Sequence, residues 1–379
     1  MEERLPKGTL GGQAVIEGVM MKGPENYSVA IRKPDQKIEV KLDKYQSYGD
    51  KHKFCKVPFI RGIVNFIESM TLGMKTLTYS SSFYEEEEVE TKTDRVFKKI
   101  FKEKAENVAI GFTVFLSIVV AIALFLMLPA GIAQLIGRWV KNHILLALIE
   151  GVLRLAIFII YVLLISRMED IKRVFMYHGA EHKTINCYEL GDELTPENVA
   201  KHSRYHKRCG TSFLFIVMVI SIFVFMFITA EQMWLRFALR LILIPIVAGL
   251  SYEFIRLAGR NDNAIFNILS KPGMWVQKIT TKEPDEEMIQ VAIISVEAVL
   301  YGKAYVKAVN EAQGIGVEEN IEEPGENTKQ KTETGEKVTL EKNEDYAEID
   351  FDNYTGLKYK ESDEEPDDIS DFEKSFFED

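Results

Sequence analysis

The sequence predicts an all-α membrane protein with four transmembrane helices and a cytoplasmic cap that contains a small β-hairpin element. Three observations lead to this prediction: four long apolar runs, a basic and histidine-rich segment between the second and third runs, and alternating polar and apolar residues near the N-terminus. The apolar runs matter most, because a helix needs about 20 apolar residues to cross the hydrocarbon core of a bilayer.

Each apolar run has the length and the low charge expected of a membrane span. The first and third runs contain no charged residue, and the second contains only Glu150 and Arg154. Those two residues are four apart, so on a helix they can neutralise each other. The fourth run has arginines at its start and Glu253 near its end. The predicted spans are residues 109–136, 144–165, 212–230 and 236–257.

Charge is distributed unevenly along the chain and predicts its orientation. The net charge is −11, but residues 311–379 contain 24 acidic and 7 basic residues, so residues 1–310 carry +6. Basic residues concentrate between the second and third runs, in residues 166–211. The positive-inside rule then predicts that this segment and both termini lie in the cytoplasm. Membrane lipids are expected partners because a basic face suits anionic headgroups. DNA is not expected, since no recognition motif accompanies the charge.

The regions outside the membrane divide into three parts. Residues 27–48 alternate polar and apolar side chains around a Lys-Pro-Asp-Gln turn, which predicts a β-hairpin. Residues 58–83 have helical apolar spacing with interspersed charges, which predicts an amphipathic helix on the membrane surface. The acidic tail is expected to be disordered. Four domains are predicted: an N-terminal cytoplasmic segment (1–108), a transmembrane region (109–257), cytoplasmic helices (258–310) and an acidic tail (311–379).

Residues 175–213 hold four of the six histidines and two of the three cysteines. The second predicted span is expected to continue through Arg173 into this segment. His178 and His182 are four apart with Glu181 between them, so a helix places the three side chains on one face. The order His-x-x-Glu-His is that of an inverted zinc-peptidase motif, in which the histidines bind metal and the glutamate acts as base. The sequence therefore predicts a divalent metal, zinc, held by His178 and His182 with Glu181 as catalytic base.

A second histidine pair follows, and it leaves the type of site open. Thr195 predicts the N-cap of a helix over residues 196–208 that would carry His202 and His206, with Cys209 just beyond. His206 and Cys209 would complete a closed structural site with the first pair. Alternatively, Glu253 would supply the third ligand of an open, catalytic site. Histidines on a basic helix also occur without any ligand role; His202 is the least favoured ligand, and Cys55 and Cys187 are expected to be inert thiols.

Long motifs carry a family resemblance. In order they are GGQAVIEGVMMKGP, PFIRGIVNFIESMTLGMKTL, YHGAEHKTINCYELGDELTPENV, SRYHKRCGTSF and SYEFIRLAGR, within about residues 8–305. The chain resembles the YqhQ-like family of bacterial multi-pass membrane proteins, a domain of unknown function with a predicted metal dependence. The resemblance implies a membrane location and a suspected metal site, with no established reaction. The motif positions that match are Glu17, His178, Glu181, His182, Glu189, His206 and Cys209.

Three functions are consistent with these features. The first is a metal-dependent enzyme, hydrolytic, that acts at the cytoplasmic membrane surface. The second is a non-enzymatic membrane factor that binds or assists the membrane-protein insertion or translocation machinery, in which the histidine-rich cap is structural or binds a partner. The third is a transporter. Four spans with few charges inside the membrane give this function little support unless the chain forms a homo-oligomer.

Overall fold

The computed structural model of the chain describes residues 5–84, 105–228, 232–258 and 264–315. Within these residues the fold is mostly helical, with one antiparallel sheet near the N-terminus. The predicted acidic tail lies outside the described residues from position 316 onwards.

The sheet has four strands in the order β1-β2-β3-β4, so the prediction of an all-α protein with one hairpin was too narrow. The predicted hairpin over residues 27–48 corresponds to β3 and β4 and is confirmed. The additional strands lie in the glycine-rich segment, which has few of the β-branched residues that signal a strand. The strands are β1 (Gly11–Val15), β2 (Gly18–Lys22), β3 (Asn26–Arg32) and β4 (Ile38–Lys44).

The helices follow the sheet in chain order. A π-helical turn, Ala123–Met127, joins α3 to α4. The helices are α1 (Tyr48–Lys51), α2 (Ile60–Ser81), α3 (Ala105–Ile122), α4 (Leu128–Ile136), α5 (His143–Ile165), α6 (Glu169–Leu190), α7 (Pro196–Lys201), α8 (Gly210–Met226), α9 (Met233–Ala258), α10 (Ala264–Thr280), α11 (Glu286–Tyr301) and α12 (Lys303–Ala312).

Three helical stretches in the described residues are long and apolar enough to cross a membrane, where the sequence predicted four. They are Gly111–Ile136, His143–Ile165 and Trp234–Ala258. The predicted span over residues 212–230 falls in α8, which has 17 residues and is therefore shorter than the roughly 20 that a span needs. The apolar run is shortened at its C-terminal end, because α8 ends at Met226.

The two central strands of the sheet, β2 and β3, are buried on both faces, whereas the edge strands β1 and β4 are partly exposed. One face packs on α11 and α6 through residues that include Val19, Ala30 and Val40. The other face packs on α2 through residues that include Val15, Val29 and Leu72. Successive strand residues point to opposite faces, so burial on both sides removes the polar alternation that an exposed sheet would show.

A helix is present over the predicted residues as α2, which links the sheet to α9, while its position on the membrane surface stays a prediction. Near its start, a Cβ added at Gly62 would lie 2.9 Å from Cβ of Tyr252 on α9. Farther along, a Cβ at Gly73 would lie 2.5 Å from Oε1 of Gln13 on β1. These close approaches require glycine on the side of α2 that faces each neighbour.

Two helix boundaries differ from the sequence-based prediction. The second apolar helix was expected to continue through Arg173, but α5 ends at Ile165 and α6 begins at Glu169. Acidic residues in the first turn of α6 favour a new helix start there, because they interact with the helix dipole. The helix expected over 196–208 has its N-cap at Thr195 as predicted but ends at Lys201. His206 therefore lies in a loop.

Candidate metal centre

Helix α6 presents two predicted ligands on one face. The ring centroids of His178 and His182 are 4.4 Å apart. Cys209, the N-cap residue of α8, brings its Sγ to 3.2 Å from Nε2 of His178. One ligand atom from each of the three residues lies within 4.8 Å of the other two. The fold thus brings together three of the predicted ligands from two segments that are far apart in the chain.

Main-chain carbonyl groups fix the orientation of both imidazoles. Nδ1 of His178 lies 2.9 Å from the carbonyl oxygen of Thr280, and Nδ1 of His182 lies 2.7 Å from that of Arg204. A carbonyl oxygen only accepts hydrogen bonds, so each Nδ1 carries the proton and donates it. In the neutral ring the lone pair is then on Nε2. Histidine ligands in metal sites commonly use this arrangement, and two imidazoles with one thiolate are a donor set that suits zinc.

The thiol of Cys209 and the imidazole of His178 form a coupled pair. Burial acts to raise the pKa of Cys209, but the neighbouring His178 and His182 lower it well below its usual value. Burial acts to lower the pKa of His178, yet the Cys209 thiolate raises it to about 9. The two shifts in pKa favour the thiolate form of Cys209, which is the form of cysteine that binds metal. A cation at this centre would displace a proton from this pair.

Glu181 is buried beside the three ligands. Burial raises the pKa of its carboxyl group, while the imidazoles of His182 and His178 act in the opposite direction. The carboxyl group lies against β1, where a Cβ added at Gly12 would be 2.7 Å from both Cγ and Oε1 of Glu181. A side chain at position 12 would therefore collide with Glu181, which gives the glycine-rich segment a role in the site.

His206 lies next to the three grouped residues but is not one of them. Its ring centroid is 5.6 Å from that of His182, and its Nε2 is 3.8 Å from Oε2 of Glu189. Its main chain is held by Gln277, which accepts from the amide at 2.9 Å and donates to the carbonyl oxygen at 2.8 Å. Burial lowers the pKa of His206. His206 is not among the three residues whose ligand atoms lie together, so a supporting role beside the centre fits its position better than that of a primary ligand.

Glu189 joins the N-terminal segment to this region. Its carboxylate accepts hydrogen bonds from Arg208 and, at 2.8 Å, from the amide of Gly8. Burial acts to raise the pKa of Glu189, but the hydrogen bond to His206 and the charge of Arg208 lower it to about 2. This matched motif position therefore anchors the chain just before β1.

The structure does not bring Glu253 to the group. Its carboxylate pairs with the guanidinium of Arg61 on α2, with Arg256 at 3.9 Å. Its predicted role as third ligand is thus taken in the structure by Cys209. Glu17, another matched motif position, occupies the β1–β2 turn with a φ of 49° and pairs with Arg173.

Sequence reasoning missed the groups that hold the site in place. The loop over residues 202–208 is bound by two polar side chains on the buried face of α6. Lys183 donates to the carbonyl oxygens of Ala200 and His202 at 2.8 and 2.9 Å, and Asn186 donates to that of Ser203 at 2.7 Å. Every residue has a main-chain carbonyl group, so the sequence does not reveal which ones orient the histidines. Two polar residues three apart on a helix that faces the core can be recognised in the sequence.

The comparisons with known proteins identify a family. The family model described as "Protein of unknown function (DUF1385)" matches residues 57–301. The "Uncharacterized protein YqhQ" of Bacillus subtilis (strain 168) is 37% identical over 301 residues, which covers 76% of this chain and 92% of that protein. No solved structure matches the chain. The match covers α6 and α8, which supply the three grouped ligands, and it confirms the resemblance seen in the motifs. The chain therefore belongs to the DUF1385 family of proteins of unknown function.

Proposed function

We propose that the chain is a multi-pass bacterial inner-membrane protein whose His178, His182 and Cys209 bind zinc for hydrolysis at the cytoplasmic membrane surface. One observation carries the proposal. Both histidines have Nδ1 held by a carbonyl group, Nε2 of His178 lies 3.2 Å from the sulfur of Cys209, and a ring nitrogen of His182 lies within 4.8 Å of both. Three protein ligands leave a fourth position for water, which is the arrangement of catalytic zinc sites.

The residues around the ligands have properties that hydrolysis requires. When bound, zinc would lower the pKa of a coordinated water and polarise the substrate's reacting group. Glu181 would accept the proton from that water, since its raised pKa brings the carboxyl group closer to the range useful for a general base. Gly12 would position that carboxyl group, because its lack of a side chain lets β1 pack against Glu181.

Four spans with both termini in the cytoplasm remain part of the proposal. Helix α8 lies alongside α5, since Arg154 donates to Ser221 at 3.0 Å and a Cβ at Gly151 would lie 2.4 Å from Cγ1 of Ile222. A helix that packs beside a span at that depth occupies the same apolar layer. Its 17 residues extend about 25 Å at 1.5 Å each, close to the thickness of the hydrocarbon core.

The position of the centre supports a membrane-surface reaction. Cys209 is the N-cap residue of the apolar helix α8, so the ligands lie where that helix meets the polar loop. Basic residues flank the loop on both sides, which supports a cytoplasmic location. The substrate would then be a molecule whose reactive bond lies at the level of the lipid headgroups.

The burial of the centre supports a second candidate function. His182 and Cys209 are 1% and 5% exposed, and β1 lies against Glu181. A centre enclosed in this way is also typical of structural zinc. In that case the chain would be a non-enzymatic factor that binds or assists the membrane-protein insertion machinery, and the metal would hold its histidine-rich cap together.

Metal content tests the shared premise. Zinc is measured by mass spectrometry on protein purified in detergent without chelator, for the wild type, His178→Ala/His182→Ala and Cys209→Ser. The control is His52→Ala, an exposed histidine far from the centre in sequence. We expect both ligand variants to lose one equivalent and the control to lose none. If the double variant keeps the wild-type content, the proposed function is wrong.

Cobalt distinguishes an open centre from a closed one. In cobalt(II)-loaded protein, a hydroxamate added to an open centre replaces water and changes the visible absorption, whereas a closed centre shows no change. Glu181→Gln should keep the metal in either case. Hydrolysis of ester, phosphoester and peptide substrates in mixed micelles should be lost in Glu181→Gln if the enzyme function holds.

A further inference from the structure

A second group of potential ligands lies at the C-terminal end of α6. One atom each from Cys187, Asp192 and His202 lies within 4.8 Å of the other two. The group shares no residue with the candidate metal centre. We propose that these three residues form a separate structural zinc site. Thiolate, carboxylate and imidazole are the three types of side chain that bind zinc in proteins.

The end of α6 brings Asp192 back over Cys187. Gly191 has a φ of 95°, a left-handed conformation that glycine adopts without steric cost. The chain reverses there, so that the amide of Asp192 donates to the carbonyl oxygen of Cys187 at 3.1 Å. This is the usual end of a helix at a glycine, and it fixes the spacing of the two residues.

His202 reaches the same place from the end of α7. It is the C-cap residue of that helix, and its Nε2 lies 2.7 Å from Oδ2 of Asp192. The thiol of Cys187 donates to the carbonyl oxygen of Glu193 at 3.4 Å, beneath the same turn, and a bound cation would displace this thiol proton. The group therefore joins three segments: the last turn of α6, the turn that follows it and the end of α7.

Charge and burial both suit a structural ion. A Cys187 thiolate and the Asp192 carboxylate carry two negative charges, which balance a divalent cation when His202 is neutral. The nearby ammonium group of Lys183 is neutralised by Glu283 at 2.6 Å. Cys187 is fully buried, whereas the side chain of Asp192 is 47% exposed. The ion would enter from the Asp192 side.

The site would stabilise a loop that the candidate metal centre needs. Arg204, two residues after His202, supplies the carbonyl group that orients His182. A zinc ion on His202 would fix the start of this loop, in addition to the hydrogen bonds from Lys183 and Asn186. This consequence rests on the proposed function, but the second site itself does not.

Zinc content in matched variants tests the proposal. Purified full-length protein is compared as wild type, Cys187→Ser/His202→Gln, His178→Ala/His182→Ala and Cys55→Ser, the last as a control for loss of a cysteine. We expect each double variant to lose one equivalent of zinc, because each removes one of the two sites. Cys55→Ser should lose none. The proposal is overturned if Cys187→Ser/His202→Gln keeps the wild-type content, or if His178→Ala/His182→Ala removes all zinc.

A milder variant covers the case in which the buried cysteine is needed for folding. Asp192→Asn changes a half-exposed side chain, so the protein should keep its elution volume in gel filtration while it loses one equivalent of zinc. Full retention of zinc in Asp192→Asn would overturn the second site. If only the His178→Ala/His182→Ala variant keeps the wild-type content, the second site stands and the proposed function fails.

Discussion

The apolar bundle and the histidine-rich cap formed by the sheet and α6 both bury ionisable side chains, but these side chains have different partners. In the bundle, Glu150 accepts from Arg154 at 2.9 Å and from Arg240 at 2.6 Å, and all three side chains are about 5% exposed. In the cap, His178 and His182 are each held by a carbonyl group through Nδ1, and Nε2 of His178 lies 3.2 Å from the sulfur of Cys209. In the first group the charges pair with each other, whereas in the second a ligand atom of each of three residues lies within 4.8 Å of the other two.

The difference shows that burial of charge is not enough to identify a ligand site. Arg154 uses Nε on the carbonyl oxygen of Phe125, Nη1 on Ser221 and Nη2 on Glu150, so its hydrogen bonds connect neighbouring helices. Such a cluster stabilises packing. A ligand site needs atoms whose lone pairs remain available and point toward a common position, and the orientation of those atoms depends on their second hydrogen bond.

The largest expected effect comes from breaking the bundle cluster. Glu150→Ala leaves Arg154 and Arg240 buried without their counter-charge, which should cost about 3–5 kcal/mol of unfolding free energy. Thermal unfolding in detergent measures the loss. The control is Glu169→Gln, which removes an exposed carboxylate that pairs with Lys172 and should change stability little. Equal effects of the two variants would contradict a packing role for the cluster.

Two neighbouring glycines on β1 provide a test of the contact between this strand and Glu181. A Cβ at Gly12 meets Glu181 at 2.7 Å, whereas a Cβ at Gly11 meets no atom within 4 Å. Gly12→Ala should therefore cost about 1–3 kcal/mol through overpacking and also weaken zinc binding. Gly11→Ala, the matched control, should change neither. Thermal unfolding and zinc titration of both variants provide the measurement, and indistinguishable results would show that β1 does not contact the site.

Acid should weaken the anchor at Glu189. Its pKa in the folded chain is about 2, below the value of about 4.3 for an unperturbed glutamate. The stability that it contributes is therefore complete above about pH 4.3 and is lost as the pH falls toward 2. Melting curves between pH 6 and 3 should show Glu189→Gln less stable at pH 6, with the difference from the wild type shrinking in acid. Parallel curves would contradict this assignment.

The smallest effect is expected for Glu253→Gln, which tests whether Glu253 is a zinc ligand. Its pair with Arg61 is partly exposed, with side-chain exposures of 17% and 24%, so Glu253→Gln should cost about 0.2–1 kcal/mol. Zinc content should remain at the wild-type value, because Cys209 occupies the position that the sequence assigned to Glu253. A loss of zinc in Glu253→Gln would return this residue to the set of ligands.

Local sequence patterns determined much of the fold. Apolar runs located the three candidate spans, alternation located β3 and β4, and capping residues located the start of α7. The patterns did not locate β1 and β2 or the break between α5 and α6. Those features depend on neighbours, since a glycine-rich strand is stabilised by packing against them rather than by its own residues.

The sequence by itself placed His178, Glu181 and His182 together, because residues three and four apart share a face of any helix. Only the tertiary structure decided that Cys209 joins them and that Glu253 does not. It also decided which carbonyl groups orient the imidazoles and that Gly12 contacts Glu181. These contacts join residues between 22 and 169 positions apart, and such distances are set by packing, which no local spacing rule encodes.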